Sequence, residues 1–150
     1  MNIWLFVINV NGVVLLGTVG LRNKCFALAK GEIRSAKILT KYNSEKKAIC
    51  FHYHQAVENF LKGYLVYMTG ILPEGHQLVR LCRLAMKHDH GFGVLLKDVA
   101  ILDGYYYDEN GSGSMAASAV LAEDVDRCLQ SAQKTISKVR YIIKCENRRT

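Results

Sequence analysis

Apolar residues recur at three- and four-residue steps through most of this chain, which is the period of a helix with one buried face. The clearest run has an apolar face made of Ile49, Tyr53, Ala56, Val57, Phe60, Leu61, Tyr64, Tyr67 and Met68. His54, Glu58 and Lys62 form a polar row opposite this face. Glu58 precedes Lys62 by one helical turn, in the orientation that favours an ion pair. The pattern predicts a helix that ends near Thr69-Gly70, because glycine commonly terminates helices.

The same periodicity predicts four further helices. They cover residues 23–42, residues 76 or 77 to 88, residues 94–106, and a last helix that starts between 118 and 122 and ends near 145. Glycines interrupt the chain before the fourth helix, and the Gly- and Ser-rich stretch 108–117 predicts a flexible loop before the last. The chain contains one proline and many good helix formers. We therefore predict an all-α fold, an antiparallel four-helix up-and-down bundle with an additional short helix.

The first 21 residues carry no charge, and their pattern differs from the rest. Asn11-Gly12 lies between two apolar runs and is typical of a two-residue turn, so we predict an N-terminal β-hairpin. Residues 3–21 are almost long enough to span a membrane, but polar residues and glycines interrupt them and no basic residues precede them. A membrane anchor is the second interpretation, and a non-native or poorly ordered leader is the third. We divide the chain into an apolar segment at 1–22, a helical bundle at 23–146 and a frayed tail at 147–150.

The net charge of +7 is unevenly distributed. Residues 22–47 contain eight basic and two acidic residues, whereas residues 98–126 contain seven acidic residues and no lysine or arginine. The acidic middle could meet the basic ends of a second subunit, so we expect a homodimer. One face of the first predicted helix could track a phosphate backbone, although a plain solvated face gives the same pattern. This face carries Lys30, Arg34, Lys37 and Lys41.

The five cysteines lack the short paired spacing of a metal or disulfide motif. Four of them fall within apolar helical patterns, where we predict that they are small buried hydrophobic residues. An odd number of cysteines without Cys-x-x-Cys favours reduced thiols and a cytoplasmic location. The pairs His52-x-His54 and His88-x-His90 resemble metal ligands, but a two-residue step places helical side chains on different faces. We predict no metal site and no cofactor.

Three short motifs, in the same order, carry a resemblance to a known family. Residues 55–62 read Gln-Ala-Val-Glu-Asn-Phe-Leu-Lys, similar to the Gln-Ala-x-Glu-Lys-x-Leu-Lys of the HEPN domain (higher eukaryotes and prokaryotes nucleotide-binding). Residues 75–78 (Gly-His-Gln-Leu) and 102–106 (Leu-Asp-Gly-Tyr-Tyr) resemble the family's Thr-His-x-Leu and Leu-x-x-Tyr-Tyr. The resemblance covers about residues 24–145. It implies a helical bundle that binds a nucleotide or RNA, partnered by a minimal nucleotidyltransferase in a toxin–antitoxin-like pair.

The resemblance also bears on catalysis. Many HEPN domains carry Arg-x4–6-His near the start of the last helix and are metal-independent ribonucleases. Here the corresponding positions, 109–112, read Glu-Asn-Gly-Ser, and no histidine follows His90, which implies that a family-type nuclease site is absent. Arg83 and His88 have the right spacing on the third helix, yet they lie about 140° apart around its axis. They are the catalytic candidates of an alternative hypothesis, a ribonuclease with a non-standard site. A structural dimerisation module is the third hypothesis.

If the bundle has a ligand groove, we predict that the polar row of the second helix and two residues of the facing helix form its wall. These residues are His54, Glu58, Lys62, Asp103 and Tyr106. Tyr106 belongs to a run of three tyrosines at 105–107, for which core packing and a partner interface are favoured over stacking on a base. We predict that Tyr106 is the core member. His76 is interpreted as the start of a helix, with a ring that caps backbone groups.

Overall fold

The computed structural model describes residues 13–106 and 119–148, and these residues are helical with no β-strand. They form five α-helices and one 3-10 helix. The elements are α1 (Val13–Lys41), α2 (Lys46–Thr69), α3 (Leu78–Met86), the 3-10 helix (His90–Leu95), α4 (Leu96–Asp103) and α5 (Ala122–Glu146). The all-α prediction is confirmed for this part of the chain. The antiparallel up-and-down arrangement stays a prediction.

Helix α2 lies at the centre and packs against α1, α3, α4 and α5. Its predicted apolar face is buried from Ile49 to Tyr64, and the polar row behind that face is largely buried as well. His54 is 0% exposed and Glu58 is 3% exposed. A helix that is buried on both sides belongs to the interior of a bundle. The polar row therefore contacts other helices rather than open water.

Close packing holds α1 against α2. A methyl group added at Gly63 would lie 2.5 Å from Cε1 of Phe26, so the missing side chain of Gly63 makes room for that ring. Phe26 then lies 5.6 Å from Phe60, measured between ring centroids. Helix α2 ends at Gly70, whose φ of 73° is in the left-handed region and whose N–H donates to Val66 O. The predicted end of this helix is confirmed.

The start of α1 differs from the prediction. The helix begins at Val13 rather than near residue 23, and the predicted second strand of the hairpin, Val13–Val19, is helical. Extending an existing helix needs no new nucleation, and no proline interrupts this stretch. That half of the hairpin prediction is wrong, while the Asn11-Gly12 turn and the first strand lie outside the described residues. Among the described helices, none has both the length and the apolar character to span a membrane.

The region between α2 and α5 is shorter and less regular than predicted. Helix α3 starts at Leu78 and ends at Met86, and the predicted fourth helix is divided between the 3-10 helix and α4. Asp89 explains the division, because its carboxylate accepts the Gly91 N–H at 2.6 Å and starts the 3-10 turn. Tyr106 lies beyond the end of α4. Helix α5 has the predicted bounds, and the predicted loop at 108–117 lies outside the described residues.

All five cysteines are free thiols, and the four in the apolar pattern are buried: Cys25, Cys50, Cys82 and Cys128. Burial raises the pKa of Cys82 to about 11, so this thiol is neutral at physiological pH. The prediction that these cysteines are buried hydrophobic residues is confirmed.

Candidate functional site

A groove of about 1030 Å³ lies between the loop that precedes α3, the outer face of α3 and the end of α4. We call it the α3–α4 groove. Its volume is sufficient for a small-molecule ligand or part of a chain. Six of its lining residues have ionisable side chains: His76, Arg80, Arg83, Lys87, Asp103 and Tyr106.

Asp103, the last residue of α4, fixes the start of α3. Its Oδ1 accepts the N–H of Leu78 at 2.7 Å, and its Oδ2 accepts the N–H of Val79 at 3.0 Å. These are among the amides that the first turn of a helix leaves unpaired. Burial raises the pKa of Asp103, but His54 and the two amides lower it by more, so the pKa lies below its usual range. The ionised Asp103 therefore stabilises the fold. This stabilisation is fully present above the pKa of an unfolded aspartate and is lost as pH falls through the lower pKa of the folded state.

Glu58 of α2 is the buried centre of a charged cluster behind the groove. Its Oε1 accepts from Lys62 Nζ at 2.7 Å, and both of its oxygens lie close to His76 Nδ1, at 3.0 and 3.1 Å. The side chain of Glu58 is 5% exposed, whereas that of His76 is 52% exposed. A carboxylate beside Nδ1 places the imidazole proton on that nitrogen. Nε2 is then the unprotonated nitrogen of the neutral ring.

Tyr106 covers this cluster. Its ring stacks on His76 with the centroids 5.1 Å apart and the planes 15° apart. The fully buried ring of His54 lies 5.2 Å from Tyr106 on another side. His54 sits between two carboxylates, with Nε2 3.4 Å from Asp103 Oδ1 and Nδ1 3.9 Å from Glu58 Oε2. Neither nitrogen has hydrogen-bonding geometry with a described group, so these contacts are electrostatic.

Three exposed cations form the rim of the α3–α4 groove. Arg80, Arg83 and Lys87 follow each other at three- and four-residue steps and therefore share one face at α3. Arg80 also donates from Nη1 to the Glu74 carbonyl at 2.7 Å, which folds its guanidinium back over the loop before His76. Guanidinium groups match the geometry of phosphate oxygens, and aromatic rings stack on bases. The groove combines both kinds of group.

The structure brings the five predicted wall residues together. Asp103 and Tyr106 line the groove. Glu58 and Lys62 lie behind it, where Glu58 contacts His76, and His54 contacts Asp103 and Tyr106. The prediction that Tyr106 is the core tyrosine is wrong, because Tyr105 packs on the core and donates its hydroxyl to Asp124 Oδ1 at 3.0 Å. Tyr106 follows the end of α4, and its ring packs against His54 and His76 instead. Tyr107 lies outside the described residues.

His76 is the residue that sequence reasoning missed. We interpreted it as a capping group at the start of a helix, whereas its ring contacts Glu58 and Tyr106. No local pattern could reveal this, since both partners come from other parts of the chain. The cationic rim is predictable from the sequence, because the spacing of Arg80, Arg83 and Lys87 places them on one helix face.

The two catalytic candidates of the ribonuclease hypothesis are not brought into one site. Arg83 lines the groove, whereas His88 is exposed beyond the end of α3 and is not part of the lining. The histidine pair of α2 also diverges, as the two-residue step predicts: His52 contacts Glu32 of α1, and His54 faces α4. Within residues 13–106 and 119–148, no group of three or more His, Cys, Asp or Glu could hold a metal ion.

The predicted phosphate-tracking face of α1 is a separate surface. Its four residues, Lys30, Arg34, Lys37 and Lys41, are exposed, and none of them lines the α3–α4 groove. Lys30 borders a second groove of about 420 Å³, together with Phe26, Arg140 and Lys144. Of the two surfaces, the α3–α4 groove is the one that adjoins the buried charged cluster of Glu58, Lys62 and His76.

Comparison with known proteins identifies the family. The HEPN domain family model matches residues 24–144, a stretch that includes α2, its buried polar row and every residue named in the α3–α4 groove. No curated protein and no solved structure matches the chain. Because the match covers most of the sequence, the chain belongs to the HEPN domain family.

Proposed function

We propose that this HEPN domain binds a nucleotide or a short single-stranded segment of RNA in the α3–α4 groove. The observation that carries the proposal is the stacked pair His76 and Tyr106 beside the cationic rim of Arg80, Arg83 and Lys87. An aromatic surface accepts a base, and the rim accepts the phosphates that follow it. The family's nucleotide- and RNA-related role supports the same ligand class.

The energetics favour an anionic ligand with an aromatic part. Stacking of one base on an aromatic side chain contributes about 1–3 kcal/mol. Arginine can donate paired hydrogen bonds to phosphate oxygens. An apolar ligand would offer no negative charge to the cations of the rim. Asp103 is the carboxylate among the described lining residues, and both of its oxygens already accept backbone amides. The groove therefore presents more unpaired positive than negative groups to a ligand.

The proposal includes partners. We infer a homodimer from the separation of the basic stretch at 22–47 from the acidic stretch at 98–126. We infer a minimal nucleotidyltransferase partner, in a toxin–antitoxin-like system, from the family resemblance. We infer a cytoplasmic location from the reduced cysteines. Light scattering and co-purification with a nucleotidyltransferase from an adjacent reading frame test these partners. A monomer that does not retain the enzyme would remove this part of the proposal.

Titration with RNA and ATP tests the binding function. A fluorescent single-stranded RNA with 2′-O-methyl groups resists cleavage, so its anisotropy reports binding alone. We expect saturable binding with a Kd below about 100 µM at low salt, corresponding to about 5.5 kcal/mol, and displacement by excess ATP. A purely structural dimerisation module predicts no binding of either ligand at millimolar concentration. That result would contradict the proposed function.

A further inference from the structure

We propose that a groove between α1 and α5 is a docking site for an acidic amphipathic helix of a partner protein. Over the described residues, α1 and α5 both pack against α2 but not against each other, which leaves a groove of about 420 Å³ between them. We call it the α1–α5 groove. Its described lining residues are all different from those of the α3–α4 groove, so a protein could bind here whether or not RNA binds there.

The floor of the α1–α5 groove is apolar. The rings of Phe26 and Phe60 have centroids 5.6 Å apart, and Ile143 of α5 borders them. Phe60 is 2% exposed, and the guanidinium carbon of Arg140 lies 5.2 Å from its ring centroid. This covered ring leaves no face on which a base could stack, whereas Phe26 and Ile143 are only partly buried and can contact an aliphatic side chain. The floor therefore favours a leucine-like side chain over a nucleobase.

The rim of the groove is cationic. It consists of Lys30, Arg140, Lys144 and Arg148. None of the described lining residues is acidic, and within residues 13–106 and 119–148 none of these four cations forms an ion pair with a carboxylate. Earlier in α5 the situation differs, since Arg127 pairs with Asp124 and Lys134 pairs with Asp98. The groove therefore carries positive charge that an acidic partner would neutralise.

The spacing of these cations indicates the shape of the partner. Arg140 and Lys144 lie one helical turn apart in α5, and Arg148 follows just beyond its end, so the row extends over about 12 Å. Lys30 of α1 lies across the groove from this row. A small anion would contact one or two of these cations, whereas a helix with carboxylates at four-residue steps can contact the whole row. If its apolar face contacts the floor, such a helix binds as amphipathic helices commonly bind grooves.

Fluorescence anisotropy with a designed peptide tests this site. The probe is a fluorescein-labelled peptide of about four helical turns, with leucines along one face and glutamates on both sides of them. We expect it to bind the full chain with a Kd below about 100 µM at low salt, and more weakly as salt screens the charges. Replacing all glutamates of the peptide by glutamine should weaken binding by about 10-fold or more, and so should scrambling the positions of its leucines.

Two double variants of the chain locate the bound peptide. Lys144→Ala with Arg148→Ala removes two exposed cations of the groove and should weaken peptide binding by about 10-fold. Arg34→Ala with Lys37→Ala is the matched control, because it changes the net charge equally on an exposed face outside the groove. It should bind the peptide within about threefold of the wild type. All four side chains are exposed, so both variants should keep the wild-type circular dichroism and melting temperature.

Four results would overturn the proposal. They are no binding of the peptide at millimolar concentration, equal binding by the two double variants, displacement of the peptide by an equal concentration of 2′-O-methyl RNA, and a changed oligomeric state of the Lys144→Ala, Arg148→Ala variant in light scattering. Displacement by RNA would make the groove a nucleic-acid surface, and a changed oligomeric state would make its occupant a second copy of the chain.

Discussion

Replacing Arg80, Arg83 and Lys87 together by alanine should weaken the binding of single-stranded RNA by about 100-fold at low salt. Each exposed cation contributes roughly 0.5–1 kcal/mol through charge alone and more where it donates hydrogen bonds to phosphate, so three amount to about 2–4 kcal/mol. The slope of log Kd against log salt should also fall by about 2, because three phosphate contacts on a single strand are lost. Anisotropy of the 2′-O-methyl RNA over a salt series measures both quantities.

The chain offers a matched control for this experiment on α1. Replacing Lys30, Arg34 and Lys37 by alanine removes the same number of exposed cations from one helix face that lies outside the groove. Net charge then changes equally in both variants, so a general electrostatic effect would appear in both. We expect the α1 variant to bind within about threefold of the wild type. If the α1 variant bound RNA much more weakly than the groove variant, RNA binding would be assigned to the α1 face and not to the groove.

Replacing Glu58 by alanine should destabilise the fold by about 3 kcal/mol. Removing one partner of a buried ion pair typically costs about 3–5 kcal/mol, because the other charge stays buried without compensation. Lys62 is 13% exposed, so part of its charge can reach water, which places the effect at the lower end. The free energy of unfolding, measured by urea denaturation with circular dichroism, checks this value.

A double-mutant cycle separates the ion pair from simple loss of packing. The variant with both Glu58→Ala and Lys62→Ala should lose less stability than the sum of the single variants, because neither charge is then left unpaired. Glu74→Ala removes an exposed carboxylate from a loop and should change the free energy of unfolding by less than about 0.5 kcal/mol. Equal effects of Glu58→Ala and Glu74→Ala would show that Glu58 does not organise the cluster.

Helix α2 and its polar row could be read from the sequence because the information is local. The apolar period, the Glu58–Lys62 spacing and the terminating Gly70 all belong to one helix, and each has the predicted role. The start of α1 could not be read in the same way. Asn11-Gly12 is a local turn signal, whereas the helical state of Val13–Val19 depends on propagation from the rest of α1.

The candidate site was predictable only in part, for a similar reason. Asp103 and Tyr106 were predicted as residues of the facing helix, but their contacts with α3, His54 and His76 depend on how separate helices meet. His76 was misread because a histidine at the start of a helix can cap backbone groups or pair with a distant carboxylate. Choosing between those roles requires the position of Glu58, which lies in another helix.

The burial of the polar row distinguishes α2 from an ordinary amphipathic helix, whose polar face is solvated. Glu58 and His54 are almost completely removed from water, which costs free energy unless partners compensate for the lost hydration. The compensation here comes from Lys62, His76 and Asp103, which together lead from the bundle interior to the groove. An apolar row at these positions would pack the bundle without that penalty. We therefore expect the cluster to serve the proposed binding function of the groove in addition to the fold.

The most direct test of the account is to observe the aromatic resonances of the groove while RNA is added. In a carbon–proton correlation spectrum recorded during titration with the 2′-O-methyl RNA, the signals of His76 and Tyr106 should shift progressively and saturate at the Kd found by anisotropy. The ring signals of Phe92, which is buried beside Tyr64 in the core, should stay in place. If RNA bound while His76 and Tyr106 stayed in place and only the amides of residues 30–41 moved, the α3–α4 groove would not be the binding site.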